Sequence, residues 1–320
     1  MSDLPFGLRP YEPGEFDAVH AAGSGLLTAS MVPALFGHSR FAGRYAIAAH
    51  ISGKHPLPDV DNPMTRRGKL LEPVVAKMLE GEGYKVDRHD LGIFAKHPTI
   101  EGFGASPDVV VWDKSGERLE PGIGEIKVVS ELIYKDTWGD GPPLEVELQH
   151  AAQYACCPGA QWGVIAALVI GAFRLDLIVF RTTRNPGAVT LIEDAARALL
   201  DMLAAGELPE PDTHESAAAV LQALHPVDPG KELVLAGEEA VAAGRLFDDW
   251  KAASETRLAA EKTEKAAKAW FMAKAGNASR LLIGNDRRVE IKDQERPGYT
   301  VKPTRFRTGK LTEARGAWWK

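Results

Sequence analysis

The hydrophobic period of this chain changes abruptly at Gly81 and Gly83, and that change restricts the folds open to it. Before the two glycines, Leu70, Leu71, Val74, Val75, Met78 and Leu79 recur at three- and four-residue spacing, which predicts an amphipathic helix over Arg67–Gly81. After them the period falls to two. Tyr84–Asp87, Leu91–Ala95, Ala105–Trp112 and Ile123–Val129 read as short strands, with Lys114-Ser115-Gly116 turning the last two into a hairpin. A helix is expected over Leu144–Ala155, after Pro142-Pro143, then a strand pair Trp162–Ile170 and Phe173–Arg181 around Gly171. An amphipathic helix Leu191–Ala205 follows, closed by Gly206 and Pro209. Helices, strands, helix, strands, helix is the order of an α/β or α+β layer fold with a mixed central sheet flanked by helices.

Upstream of the period change, residues 1–27 mix Gly, Pro and acidic residues and read as a loosely structured lead-in. Thr28 is placed to cap a helix reaching Ala34, with Ser30 in its first turn, and a second helix is expected over Phe41–Ser52. His55–Pro63 reads as a loop. A length of 320 residues suggests two domains. The prolines at 209, 211, 226 and 229 mark the boundary, so the expected division is a core over 1–210, a linker with a short helix Ser216–Leu224 over 211–232, and a module over 233–320. In that module Arg245–Ala275 contains no Gly or Pro and would span roughly 45 Å as a helix. Arg257 and Glu264 break its heptad-like spacing, leaving a weak coiled coil or a helix lying on something else. A small β unit is expected at Arg280–Ile283, Arg287–Ile291 and Tyr299–Lys302.

Composition removes several function classes. The two cysteines, Cys156 and Cys157, are adjacent and too few for a disulfide scaffold or a four-thiolate metal site. The longest apolar run, Gly163–Phe173, is about half a membrane span, and no basic-then-apolar leader is visible. A cytoplasmic protein with no membrane partner is the expectation. No phosphate-cradling GxxxxGK[ST], GxSxG or HExxH is present, which argues against an ATP-driven motor and the common hydrolase sites. A formal charge of −6 argues against a protein that simply coats nucleic acid, but the charge is uneven. Residues 280–320 carry eleven Lys and Arg against five Asp and Glu, so an acidic body precedes a basic tail.

The chemistry lies between Gly68 and Tyr154. Glu125 and Lys127 stand at i and i+2 in Gly124-Glu125-Ile126-Lys127 and therefore share one face of a strand, while Ile126 points to the other. The hairpin can bring Asp108 of Ser106-Pro107-Asp108 beside them. Carboxylates clustered at one sheet edge suit a hard divalent cation, Mg²⁺ or Mn²⁺, which also takes water and phosphate oxygens. The bland alternative is a solvated strand end. Glu72 sits on the upstream helix, where a carboxylate near the N-terminus is also simply favoured by the dipole. Gln149 and Gln153 lie one turn apart on the downstream helix, followed by Tyr154.

Taken in order, Thr28-Ala29-Ser30, the GxxLEP segment ending at Pro73, Ser106-Pro107-Asp108, Gly124–Lys127 and Gln149–Tyr154 resemble the YqaJ-type viral recombinase family, which includes the lambda-type exonucleases. The resemblance covers roughly residues 24–210. It implies a PD-(D/E)XK, restriction-endonuclease-like core and a phage or prophage recombination nuclease acting on linear double-stranded DNA in a bacterial host. By the same resemblance Asp108, Glu125 and the Ile126 carbonyl would hold the metal, and Glu72 a second ion or its water. Lys127 would orient the attacking water, with Gln149 positioning it. Ser30, Arg40, Arg66, Arg67, Gln153 and Tyr154 are the expected contacts to DNA or its phosphates. A single-strand annealing recombinase would be the partner and a trimer the assembly. One departure stands out: His20–Leu27 lacks the arginine that lambda-type enzymes place before this motif to hold a 5′-phosphate. Arg40, Arg44, Arg66 and Arg67 are candidates to replace it. A structure-selective or nicking endonuclease of the same fold, and a non-catalytic DNA-binding scaffold, are the competing readings.

Overall fold

The structure is a computed structural model of the chain and describes residues 4–58, 63–139, 141–226, 228, 230–283 and 287–292. The chain divides into two compact units, 1–226 and 227–320. The first unit opens with β1 (Arg9–Pro10), α1 (Glu15–His20), β2 (Leu27–Thr28), α2 (Val32–Leu35) and α3 (Arg44–Ile51). Then come α4 (Pro63–Gly81), β3 (Tyr84–Asp87), β4 (Ile93–Lys96), β5 (Phe103–Ala105), β6 (Val109–Asp113) and β7 (Gly122–Ser130). It closes with α5 (Glu131–Thr137), α6 (Leu144–Cys156), β8 (Trp162–Ile170), β9 (Leu175–Thr183), α7 (Pro186–Ala204) and α8 (Glu215–Leu224). The second unit holds α9 (Gly237–Ala275), β10 (Arg280–Ile283) and β11 (Arg287–Glu290).

A mixed five-stranded sheet runs in the order β3-β6-β7-β8-β9, with β7 and β8 parallel and the other pairs antiparallel. Its period-two pattern sorts side chains into two layers. Val109, Val111 and Ile126 pack with Val75 and Leu79 of α4, whereas Val110 and Ile123 pack with Ala152 of α6 and Ile192 of α7. Each fully buried aliphatic chain stabilises the fold by about 1.5–3 kcal/mol, so a one-residue slip of β7 would invert both layers at once. A second sheet, β1-β4-β5-β2, stands beside the first. This is the helix-flanked mixed sheet expected of a PD-(D/E)XK core. No helix among the described residues is long and apolar enough to cross a membrane.

Several sequence expectations shift. The lead-in is packed: Leu8 and Tyr11 are buried and β1 pairs with β4. The Thr28 helix is instead a two-residue strand running into a 3-10 turn, Ala29–Met31, and then the four-residue α2. The Ala105–Trp112 strand is broken at Ser106-Pro107, because proline offers no ladder hydrogen bond, and its halves belong to different sheets. α7 starts earlier than the apolar pattern suggests, where Asn185 Oδ1 accepts from the Gly187 and Ala188 N–H groups. α8, expected within a linker, buries Ala217 and Val220 in the main core. There Ser216 Oγ accepts from Gly43 N at 3.0 Å, and Asp212 Oδ2 from Tyr45 N at 2.9 Å. The first unit therefore extends to Pro226 rather than residue 210.

Within the second unit α9 is 39 residues long, about 58 Å at 1.5 Å per residue. Leu246, Trp250 and Leu258 on it are exposed. The antiparallel β10–β11 hairpin forms as expected. The strand expected at Tyr299–Lys302 lies outside the described residues, as does most of the basic tail.

Candidate active site

The break at Ser106-Pro107 delivers Asp108 to the site. Asp108 N–H donates to the Gly124 carbonyl at 2.9 Å, and Asp108 Oδ2 accepts from Ile126 N at 2.6 Å. Asp108 is thus stitched to β7 on both sides of Glu125, through its backbone N–H to Gly124 and its carboxylate to Ile126. Gly124 makes the approach possible: a Cβ there would stand 2.5 Å from Val109 Cγ2 and 3.2 Å from Val164 Cγ2.

Glu125 and Lys127 leave β7 on the α6 side, opposite Ile126, as the alternation requires. Lys127 Nζ lies 2.6 Å from Glu125 Oε1 and donates to Gln149 Oε1 at 3.0 Å. Gln149 Nε2 donates to Glu125 Oε1 at 2.8 Å, and Gln153 Nε2 to Glu125 Oε2 at 2.5 Å. Glu125 is 2% exposed, so these donors replace the water it has lost. The spacing of one helical turn on α6 is what aims both amides at one carboxylate.

Burial pushes the Asp108 carboxyl well above the usual aspartate range, and the nearby Glu125 and Glu72 carboxylates add to the shift. Burial likewise raises Glu72, opposed by Arg88, whose guanidinium lies 3.7 Å away. Burial acts to lower the Lys127 ammonium, but Glu125 and Asp108 outweigh it, leaving the lysine above its usual value.

Part of this group borders a cleft of about 490 Å³, whose lining does not include Glu125 or Lys127. Glu72, Asp108 and Gln149 line it together with Ser30, Lys69 and Arg88. Ser30 Oγ is 3.0 Å from Thr28 Oγ1 on the 3-10 turn. Pro73 follows Glu72 inside α4 and removes the N–H that would otherwise bond the Lys69 carbonyl.

The other expected contacts lie elsewhere. Arg40, Arg44, Arg66 and Arg67 do not line the cleft. Arg40 lies 3.6 Å from Glu145 and over the Phe41 ring. Arg67 Nε is buried and has no hydrogen-bond partner among the described residues. Gln153 and Tyr154, expected on DNA, are buried inside: Gln153 serves Glu125, and the Tyr154 hydroxyl lies 2.8 Å from Thr182 Oγ1. The arginine the cleft does present is Arg88, at the end of β3, which no motif or period singled out. His150 stands next to Gln149 on α6. It is 2% exposed, burial lowers its pKa, and it contacts Gln153 rather than the cleft.

Among the described residues no three His, Cys, Asp or Glu side chains stand together at metal-binding spacing. The donors on offer are the Asp108 and Glu125 carboxylates, the Ile126 carbonyl and Glu72, an all-oxygen set of the hardness that Mg²⁺ or Mn²⁺ prefers. Burial, the main reason the Asp108 and Glu72 carboxyls are raised, disfavours their charged forms, and a bound cation would favour those forms again.

Residues 15–160 match the model of the YqaJ-like viral recombinase domain. Among solved structures, the chain is similar to an alkaline exonuclease, LHK-Exo, from Laribacter hongkongensis. Identity is 28%, covering 61% of this chain and 94% of that one, with a TM-score of 0.48. It is also similar to a phage related exonuclease from Haemophilus somnus 129PT, at 13% identity, covering 57% of this chain and 96% of that one, with a TM-score of 0.38. No curated protein sequence matches. The family match runs from α1 past α6 and includes Ser30, Glu72, Asp108, Glu125, Lys127 and Gln149, so that it is over residues 15–160 that the chain is similar to the YqaJ-like viral recombinase domain.

Proposed function

We propose that this protein is a Mg²⁺-dependent deoxyribonuclease that hydrolyses phosphodiester bonds in linear double-stranded DNA, an exonuclease of phage recombination. One observation carries the reading. Asp108 is tied to β7 next to the Glu125–Lys127 pair, and with Glu72 and Gln149 it lines a cleft that also presents Ser30, Lys69 and Arg88. The similarity to the YqaJ-like domain supports it.

Asp108, Glu125 and the Ile126 carbonyl would hold the cation, with Glu72 at a second ion or its water. When bound, the cation lowers the pKa of a water and polarises the scissile phosphoryl oxygen. Lys127, kept as an ammonium by Glu125 and Asp108, orients the attacking water and donates to charge growing on the phosphate. Gln149 fixes the Lys127 side chain through its Oε1. Ser30, Lys69 and Arg88 supply donors for the phosphates of the bound strand. Mn²⁺ substitutes for Mg²⁺. The surviving strand passes to a single-strand annealing protein, the assembly is a trimer, and the work is done in the cytoplasm of the host cell.

The test is cleavage of linear duplex with Mg²⁺ by wild type, Asp108→Ala and Glu125→Ala. Loss in both variants is expected; if both cut like wild type, the assignment fails. One observation favours a nicking or structure-selective endonuclease instead: residues 20–27 contain no arginine to hold a 5′-phosphate. Covalently closed circles decide between the two, since an exonuclease leaves them intact.

A further inference from the structure

Glu125 is held by a line of buried polar groups that leads away from the cleft. Gln153 is fully buried, with its Nε2 2.5 Å from Glu125 Oε2 and 3.4 Å from the Ser106 carbonyl oxygen. A carboxylate and a carbonyl only accept, so the Gln153 amide nitrogen faces them and its Oε1 faces the other way. That Oε1 lies 2.8 Å from His150 Nδ1. An amide oxygen also only accepts, so the hydrogen between them sits on Nδ1. His150 Nε2 is 2.9 Å from Thr182 Oγ1, and the Tyr154 hydroxyl is 2.8 Å from the same oxygen. With Tyr154 donating to Thr182 and Thr182 donating to Nε2, every hydrogen in the line has an acceptor. The line then runs one way, from Tyr154 through Thr182, His150 and Gln153 to Glu125.

The sheet leaves room for it. A Cβ on Gly163 of β8 would stand 2.9 Å from the Tyr154 hydroxyl oxygen, 3.0 Å from His150 Nε2 and 2.3 Å from the Ile123 carbonyl oxygen. The missing side chain at 163 is the space in which the two aromatic residues of α6 reach Thr182 on β9. A histidine that merely filled the core would need neither this gap nor a fixed direction of hydrogen bonding.

We propose that His150 is a positioning residue for this site: oriented by Thr182, its Nδ1–H locks the Gln153 amide with nitrogen toward Glu125, and so sets the direction in which that carboxylate can bind a cation. The inference rests on the reading of Glu125 as a metal ligand given above. An amide free to rotate would at times present its oxygen to the carboxylate, and repulsion would turn Glu125 aside. Supporting groups behind metal ligands are worth about 10–100-fold in metal affinity.

Two measurements on the full chain test it. In metal-free protein labelled with ¹⁵N-histidine, His150 Nδ1 is expected to carry the proton and Nε2 to be bare; a proton on Nε2 with Nδ1 bare overturns the proposal. Calorimetric titration with Mn²⁺ alone is the second. His150→Phe fills the space without a donor and is expected to bind Mn²⁺ about 10–100-fold more weakly, whereas His150→Asn, whose amide nitrogen can replace Nδ1, stays within about threefold of wild type. Wild-type affinity in folded His150→Phe overturns the positioning role. If that variant does not fold, Thr182→Val probes the same line from its far end: weaker Mn²⁺ binding supports the proposal and unchanged binding overturns it. Should wild type bind no Mn²⁺ at all, the metal-nuclease reading fails, while the ring-nitrogen signals still decide the hydrogen-bond line.

Discussion

Lys127 Nζ lies 2.6 Å from Glu125 Oε1, although both residues belong to one strand and face, and Gln149 bonds to both. The pair is asymmetric in its surroundings, with the Lys127 side chain 30% exposed and the Glu125 side chain 3% exposed. Removing the lysine therefore strands a buried carboxylate. Breaking such a pair costs about 3–5 kcal/mol when both partners are fully buried, and the partial exposure of Lys127 puts Lys127→Met at the lower end. Denaturant unfolding of the metal-free protein measures that loss. Cleavage should fall as well, by about 10²–10³-fold for one lost charge-stabilising donor.

Asp108→Asn is expected to separate stability from activity. The amide oxygen can still accept from Ile126 N, and the substitution removes a carboxylate that burial, Glu125 and Glu72 all disfavour. The metal-free variant should melt no lower than wild type. Its cleavage of linear duplex should drop by about 10³-fold or more, the scale of the several kcal/mol that a misplaced cation forfeits.

Gly124→Ala tests the stitching of β6 to β7. The new methyl group would sit 2.5 Å from Val109 Cγ2, so the strands must spread. Overpacking of this kind costs about 1–3 kcal/mol. Because the Gly124 carbonyl accepts from Asp108 N, the spreading should carry Asp108 away from Glu125 and reduce cleavage more than the loss of folded protein alone accounts for. Comparing activity with the folded fraction measured by circular dichroism checks this.

Acid should loosen the packed N-terminal segment before the sheet. Glu15 is held at a pKa of about 2, first by its hydrogen bond from Arg9 and then by the Glu12 N–H. A depressed carboxylate stabilises the folded segment above its ordinary value of 4.5, and that contribution is lost as pH falls toward about 2. The ring resonances of Tyr11 and Phe16, which pack edge to face, should shift across that window. In Glu15→Gln the shift should be absent.

The readable part of this molecule was the part governed by short-range rules. Alternation on β7 sent Glu125 and Lys127 one way and Ile126 the other, and the 3.6-residue period put Gln149 and Gln153 on one side of α6. Those rules give a direction but not a neighbour. Gln153 is an expected DNA contact only by resemblance; that it lies under Glu125 depends on how α6 meets the sheet. The lead-in looked loose because β1 is two residues long and its order comes from pairing with β4, far along the chain. Arg88 carried no signal at all, since nothing in a strand-terminal arginine announces that a cleft lies beside it.

Asp108 occupies the point where the backbone leaves one sheet and joins the other, between Ala105 of β5 and Val109 of β6. Its coordinates are consequently a shared property, like those of a keystone set by two arches. Neither sheet can be repacked, shortened or exchanged for a relative's version without moving that carboxylate. Engineering of this scaffold should treat the two sheets as one transferable piece, with residues 105–109 kept at their junction.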